Sequence, residues 1–162
     1  MAQQPVPPQR PAFNIATVPT ATKILVGAGF LLFIDCFLPW QKVSFLSFSA
    51  LSGSAGWAGL LMFLALIGLL VWEALTAFGA LSNLQLPTTP GMISVGLAAA
   101  VLFFGLLKVI FTLTGGSVAF GLFVGIILLI AIAYGTFLRW QEAKVGGPMT
   151  PGPPPGGGGF SA

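Results

Sequence analysis

Histidine is absent from the 162 residues, and cysteine occurs once, at Cys36. Without histidine the chain has no imidazole for haem ligation, for a His-based zinc site, or for Ser-His-Asp or Cys-His catalysis. A lone cysteine forms no intrachain disulfide, no CxxC redox pair and no cysteine zinc site. The quinone-coupled four-helix thiol oxidoreductases, which need paired cysteines, are excluded on the same ground. Charge is scarce too: six Lys+Arg and three Asp+Glu make up 6% of the chain, against about 25% in soluble domains. The six cations are spread along the sequence, so a nucleic-acid surface has no support. What replaces charge is oil, since 56% of the residues are hydrophobic. A water-soluble body of this size cannot be covered by nine charges, and lipid is the expected solvent.

Composition divides the chain in three. Residues 1–20 hold five prolines and one charge, a polar arm expected to be disordered. Residues 145–162 hold seven glycines and five prolines, a second low-complexity tail. Within the first arm, Pro8-Gln9-Arg10-Pro11 fits a PxxP ligand pattern, for which spacer is the simpler reading. Between the tails, residues 21–144 carry four apolar stretches, at about 24–40, 57–81, 92–113 and 117–138. Each approaches the roughly 20 residues that cross about 30 Å of hydrocarbon. Backbone groups in lipid must be satisfied within a segment, so the stretches are read as helices. The expected fold class is all-α, an integral membrane four-helix bundle with disordered Pro/Gly-rich termini.

Breaks between the stretches carry turn chemistry. Leu38-Pro39-Trp40 closes the first, because proline disfavours helix at the residue before it. Asn83–Gly91 is a proline-punctuated loop, and Thr114-Gly115-Gly116 is a tight turn between antiparallel helices. The longest connection, residues 41–56, mixes apolar residues with serines and is expected to lie as an amphipathic segment in the membrane interface. The first stretch has a lone flanking lysine, Lys23, and no nearby cleavage pattern, so it is read as a retained helix. Four crossings put both ends on one side. Arg10, Lys23, Arg139 and Lys144 fall there, against Lys42 alone opposite, which predicts cytoplasmic termini in the cell membrane.

Three charges fall inside the expected spans: Asp35, Glu73 and Lys108. Each costs roughly 2.5–3.5 kcal/mol at mid-membrane, so each needs a partner or a shallow depth. Asp35 and Lys108 both lie about 7–8 Å below the outer boundary, which predicts a structural ion pair between the first and third helices. Glu73 is expected to look at a close-packed neighbour, with Tyr134 at matching depth as a hydrogen-bond partner and Arg139 within snorkelling reach. Small residues predict close helix contacts at Gly121 and Gly125, at Ala131 and Gly135, and at Gly96 and Ala100. Trp40, Trp57 and Trp140 fall at boundaries and are expected to act as interface anchors, whereas Trp72 is expected to pack within a helix. Cys36 is read as an inert buried thiol.

The stretch FLLFIDCFLPWQ (Phe30–Gln41), followed by a Gly/Ser loop and Gly56-Trp57-Ala58-Gly59, resembles a group of small four-helix membrane proteins of actinobacteria. Those have a first helix ending in Leu-Pro-Trp and a Pro/Gly-rich cytoplasmic tail. The resemblance covers about half the chain and implies the same fold without implying catalytic residues. Small multidrug exporters also pair four helices with one acidic residue in the first, but they are shorter, lack the tails, and keep that carboxylate free.

No catalytic set, cofactor site or metal site is expected. The leading functional reading is a non-enzymatic multi-pass protein acting as an accessory or scaffold subunit of a membrane assembly. Its partners would be the bilayer and either another membrane protein or further copies of itself. The alternative is an oligomeric small transporter or channel subunit using Asp35, Glu73 and Lys108. A lipid-acting enzyme is the weakest reading, because it would need clustered carboxylates, a metal set or an activated nucleophile.

Overall fold

The computed structural model describes residues 18–80, 88–115 and 117–145. Most of the two tails, including Pro8–Pro11, and residues 81–87 lie outside these. Four helices dominate: α1 (Thr20–Asp35), α2 (Gly56–Ala77), α3 (Pro90–Thr114) and α4 (Phe120–Val145). Three strands accompany them: β1 (Pro39–Val43), β2 (Leu46–Ser49) and β3 (Ser117–Val118). The helices therefore follow the four apolar stretches, but the chain is not purely helical.

Helix boundaries trace to local chemistry. α1 stops at Asp35, five residues before the expected Trp40. Its exit tightens, with Phe37 N–H donating to Ile34 O and Leu38 N–H to Asp35 O, and Pro39 then begins β1. α1 is thereby only about 24 Å long. α2 ends at Ala77 rather than near residue 81, because Gly79 turns left-handed (φ 68°). Ala80 N–H donates to Leu75 O and Gly79 N–H to Thr76 O, the double bond of a Schellman stop. α3 opens on Pro90, where the missing N–H costs nothing.

Each helix packs on two neighbours, α1 on α2 and α4, and α3 on α2 and α4, so α1 and α3 stand diagonally across the bundle. The shared core is Leu25, Leu32, Met62, Leu66, Leu69, Val101, Leu122 and Ile132. The outward faces are just as apolar, with Phe30, Leu64, Phe103, Leu106, Phe123, Ile127 and Ile130 all exposed. A bundle that is oily inside and outside suits lipid rather than water. Three helices, α2, α3 and Phe120–Lys144 of α4, are long and apolar enough to cross a membrane. α1, at 16 residues, is shorter.

The expected amphipathic segment at 41–56 is instead a hairpin and a folded loop. β1 pairs antiparallel with β2, matching Gln41 to Phe48, Lys42 to Ser47 and Val43 to Leu46. On its other edge β1 pairs antiparallel with β3 at Gln41–Val118 and Lys42–Ser117. Ser44 supplies the left-handed residue of the two-residue turn (φ 55°). Ser47-Phe48-Ser49 alternates with the period of a strand, but this sheet also needs β3 from the distant α3–α4 connection. The sheet closes one end of the bundle, here the cap end. The opposite end, where α1 begins and α4 finishes, is the tail end.

Candidate functional site

Polar side chains gather at both ends of the bundle. At the cap end Lys108, fully buried on α3, donates from Nζ to Ser52 O and Ser54 O, both at 2.7 Å. Gln41 of β1 bridges the same loop to α3: its Nε2 donates to Thr112 O at 3.3 Å, and its Oε1 accepts from Ser54 N–H at 2.9 Å. The loop can seat so deeply because two glycines let it. Ala50 O meets the place a Cβ would occupy on Gly59, and Ser54 Oγ meets that place on Gly115. Left-handed Gly53 (φ 71°) and Ala55 (φ 51°) turn the loop inward toward Lys108.

The expected Asp35–Lys108 ion pair is not made. The two residues belong to the diagonal helices, and Lys108 is committed to backbone carbonyls. Asp35, 1% exposed, points toward α4, where a Cβ on Gly125 would lie 2.9 Å from its Oδ2. Neither carboxylate oxygen has a hydrogen-bond partner. One and two turns before it on α1, Leu31 is 55% exposed and Ala28 is buried. The backbone carbonyl of Asp35 accepts from Trp40 Nε1 at 3.1 Å.

Trp40 is correspondingly no interface anchor, because it is fully buried. α1 stops short of the bundle's end, and the indole fills the space beyond it. A Cβ on Gly125 would lie 2.8 Å from Trp40 Cη2, and one on Gly121 would lie 2.9 Å from Trp40 Cδ1. Trp57 and Trp140 are 55% and 38% exposed. Lys144 Nζ sits 3.6 Å from the Trp140 ring centroid.

The small residues divide in the same way. Gly121 and Gly125 receive Trp40, Gly135 abuts Ile24 and Leu25 of α1, and Ala131 packs beside the core. Gly96 on α3 meets nothing within 4 Å, so it makes no internal contact, and Ala100 is half-buried. Cys36 is buried with a free thiol.

At the tail end Glu73, fully buried on α2, lies 3.8 Å from Arg139 Nη2 of α4. That is ion-pair range without a hydrogen bond, and both Glu73 carboxylate oxygens lack one. Arg139 Nη1 turns instead to Glu142 at 3.3 Å. Tyr134 does not meet Glu73. It is 56% exposed and lines a shallow groove with Thr20, Leu138, Gln141 and Glu142. Trp72 Nε1 donates to Pro90 O at 3.1 Å, tying α2 to the start of α3, a contact that hydropathy gives no means of finding.

Lys108 spends two of its three N–H donors on backbone carbonyls, Cys36 is buried, and no group of three His, Cys, Asp or Glu comes together among the described residues. No family model, curated protein or solved structure matches this chain.

Proposed function

We propose that the chain is a non-enzymatic multi-pass protein of the cell membrane, with both termini cytoplasmic, acting as an accessory or scaffold subunit of a larger membrane assembly. The cap end is then extracytoplasmic. The observation that carries this reading is the commitment of Lys108, whose ammonium spends two 2.7 Å bonds on fastening a loop. An ionisable group held this way is a structural tie rather than a station on an ion path. Glu73, facing Arg139, is likewise matched within the bundle. What remains for outside contact is apolar helix surface, the open Gly96 on α3 included.

The test is purification of the full chain from its own membranes in mild detergent, with the co-purifying proteins identified by mass spectrometry. A defined membrane-protein partner in fixed ratio is expected. A lone chain at the 16.7 kDa monomer mass overturns the reading.

One observation favours a transporter or channel subunit as the second reading, namely the unbonded carboxylate of Asp35. That reading requires an oligomer, since four helices are few for a pore. It predicts liposome flux that disappears when Asp35, Glu73 and Lys108 are neutralised together.

A further inference from the structure

The hairpin turn at the cap end exposes oil with no protein beneath it. Phe45 is fully solvent-exposed, and Leu46 and Val43 beside it are 64% and 49% exposed. Trp40 at the root of the same sheet is fully buried, whereas Phe45 at its tip is fully exposed.

Charge and helix length both bear on what covers the tip. The chain has three acidic residues. Asp35 is buried, and Glu73 and Glu142 belong to the tail end, so the cap surface carries no exposed acid. Its exposed charge is Lys42, two residues before the turn and paired across the hairpin to Ser47. A cation beside an apolar tip, with no acid nearby, complements the phosphates of a headgroup layer lying over acyl chain. α1 is about 24 Å long, while the hydrocarbon is about 30 Å thick. On the membrane reading, a first crossing built on so short a helix needs the residues flanking it, and this keeps the root of the hairpin near the boundary. Phe37 and Leu38, 58% and 37% exposed, continue the apolar surface from α1 into β1. The ladder of β1 with β2 and β3 satisfies backbone groups there, which hydrocarbon would penalise if left bare.

We propose that the Val43–Leu46 tip is a membrane-docking element that inserts Phe45 and Leu46 into the outer leaflet, with Lys42 at the headgroups. The inference rests on the membrane reading given above. Docking would fix the tilt of the short first helix, which has neither the length nor an exposed tryptophan to fix it alone.

The experiment places a nitroxide on Phe45→Cys, or separately on Leu46→Cys, in a Cys36→Ala background. A parallel label on Phe103→Cys marks the exposed face of α3. The full chain is reconstituted in nanodiscs containing phosphatidylglycerol, and collision with oxygen is compared with collision with a water-soluble nickel chelate. Oxygen is expected to dominate at positions 45, 46 and 103. Nickel dominating at 45 and 46 with oxygen dominating at 103 overturns the docking and leaves the membrane reading standing. Nickel dominating at all three overturns both. Shielding of 45 and 46 from both reagents, or spin–spin broadening between labels, assigns the tip to a protein partner or a second copy and also overturns the proposal. Both substituted side chains project outward, so loss of folding is not expected, and a retained α-helical circular dichroism spectrum verifies it.

Discussion

The two ends of the bundle solve the same problem with different materials. At the tail end, a buried carboxylate is balanced by an arginine 3.8 Å away that is shared with Glu142. At the cap end, a buried ammonium is balanced by two backbone carbonyls at 2.7 Å, and no acid takes part. The first arrangement is long and geometrically loose, with Arg139 divided between two carboxylates. The second is short and directional. It binds a loop that α3 has no other means of holding, apart from the Gln41 bridge. The lesson is that a buried charge can be matched by main-chain dipoles as well as by a countercharge, and that the main-chain match is the more specific.

Replacing Lys108 should therefore cost more than any single change at the tail end. Lys108→Met leaves the part-buried Ser52 O and Ser54 O without their charged donor. A loss of about 3 kcal/mol is expected, at about 1.5 kcal/mol or more per charge-assisted bond, read by thermal unfolding in detergent. Next is Gly125→Leu, which drives a side chain into the Trp40 ring and the Asp35 carboxylate. Overpacking of this kind costs about 2 kcal/mol, and the indole fluorescence should shift as Trp40 is displaced. Glu73→Gln should cost less than Lys108→Met, because the 3.8 Å pair it removes lacks a hydrogen bond and Arg139 keeps Glu142 as a partner. A smaller Lys108 effect than Glu73 effect would reverse the contrast between the ends. Smallest is the coupling between Asp35→Asn and Lys108→Met. Residues on diagonal helices without a shared bond should be additive within about 0.5 kcal/mol, and a double-mutant cycle giving a larger coupling would reinstate the ion pair.

Much of the helical frame was legible because its signals are local. Pro39 acts on its own backbone, and runs of apolar residues need no partner to be recognised, whereas the stop at Gly79 and the helix start at Pro90 fall inside what reads as apolar stretch and loop. The receiving face of α4, with Gly121, Gly125 and Gly135, was legible as spacing, although what it receives was not. The cap was missed for a physical reason. β3 has two residues, β2 has four, and neither holds without β1, so the sheet exists only as a non-local arrangement. Trp40 was assigned to the boundary because its position in sequence is terminal, whereas its burial follows from α1 stopping early. Lys108 was matched to Asp35 because a sequence displays charges and hides carbonyls. Every residue has the same backbone acceptor, so no residue type announces that Ser52 and Ser54 would be the partners. Helix order around the ring, which makes α1 and α3 diagonal, is equally silent in the sequence.

Hydrogen exchange on the wild-type and Lys108→Met chains, each in the same lipid nanodiscs, addresses the fastening of the cap under native conditions. Amides of residues 50–55 should be slow to exchange in the wild type and should lose that protection in the variant, while α2, α3 and α4 stay protected in both. Equal protection of residues 50–55 in the two chains would contradict the role given to Lys108, and rapid exchange throughout α2–α4 would contradict the membrane bundle itself.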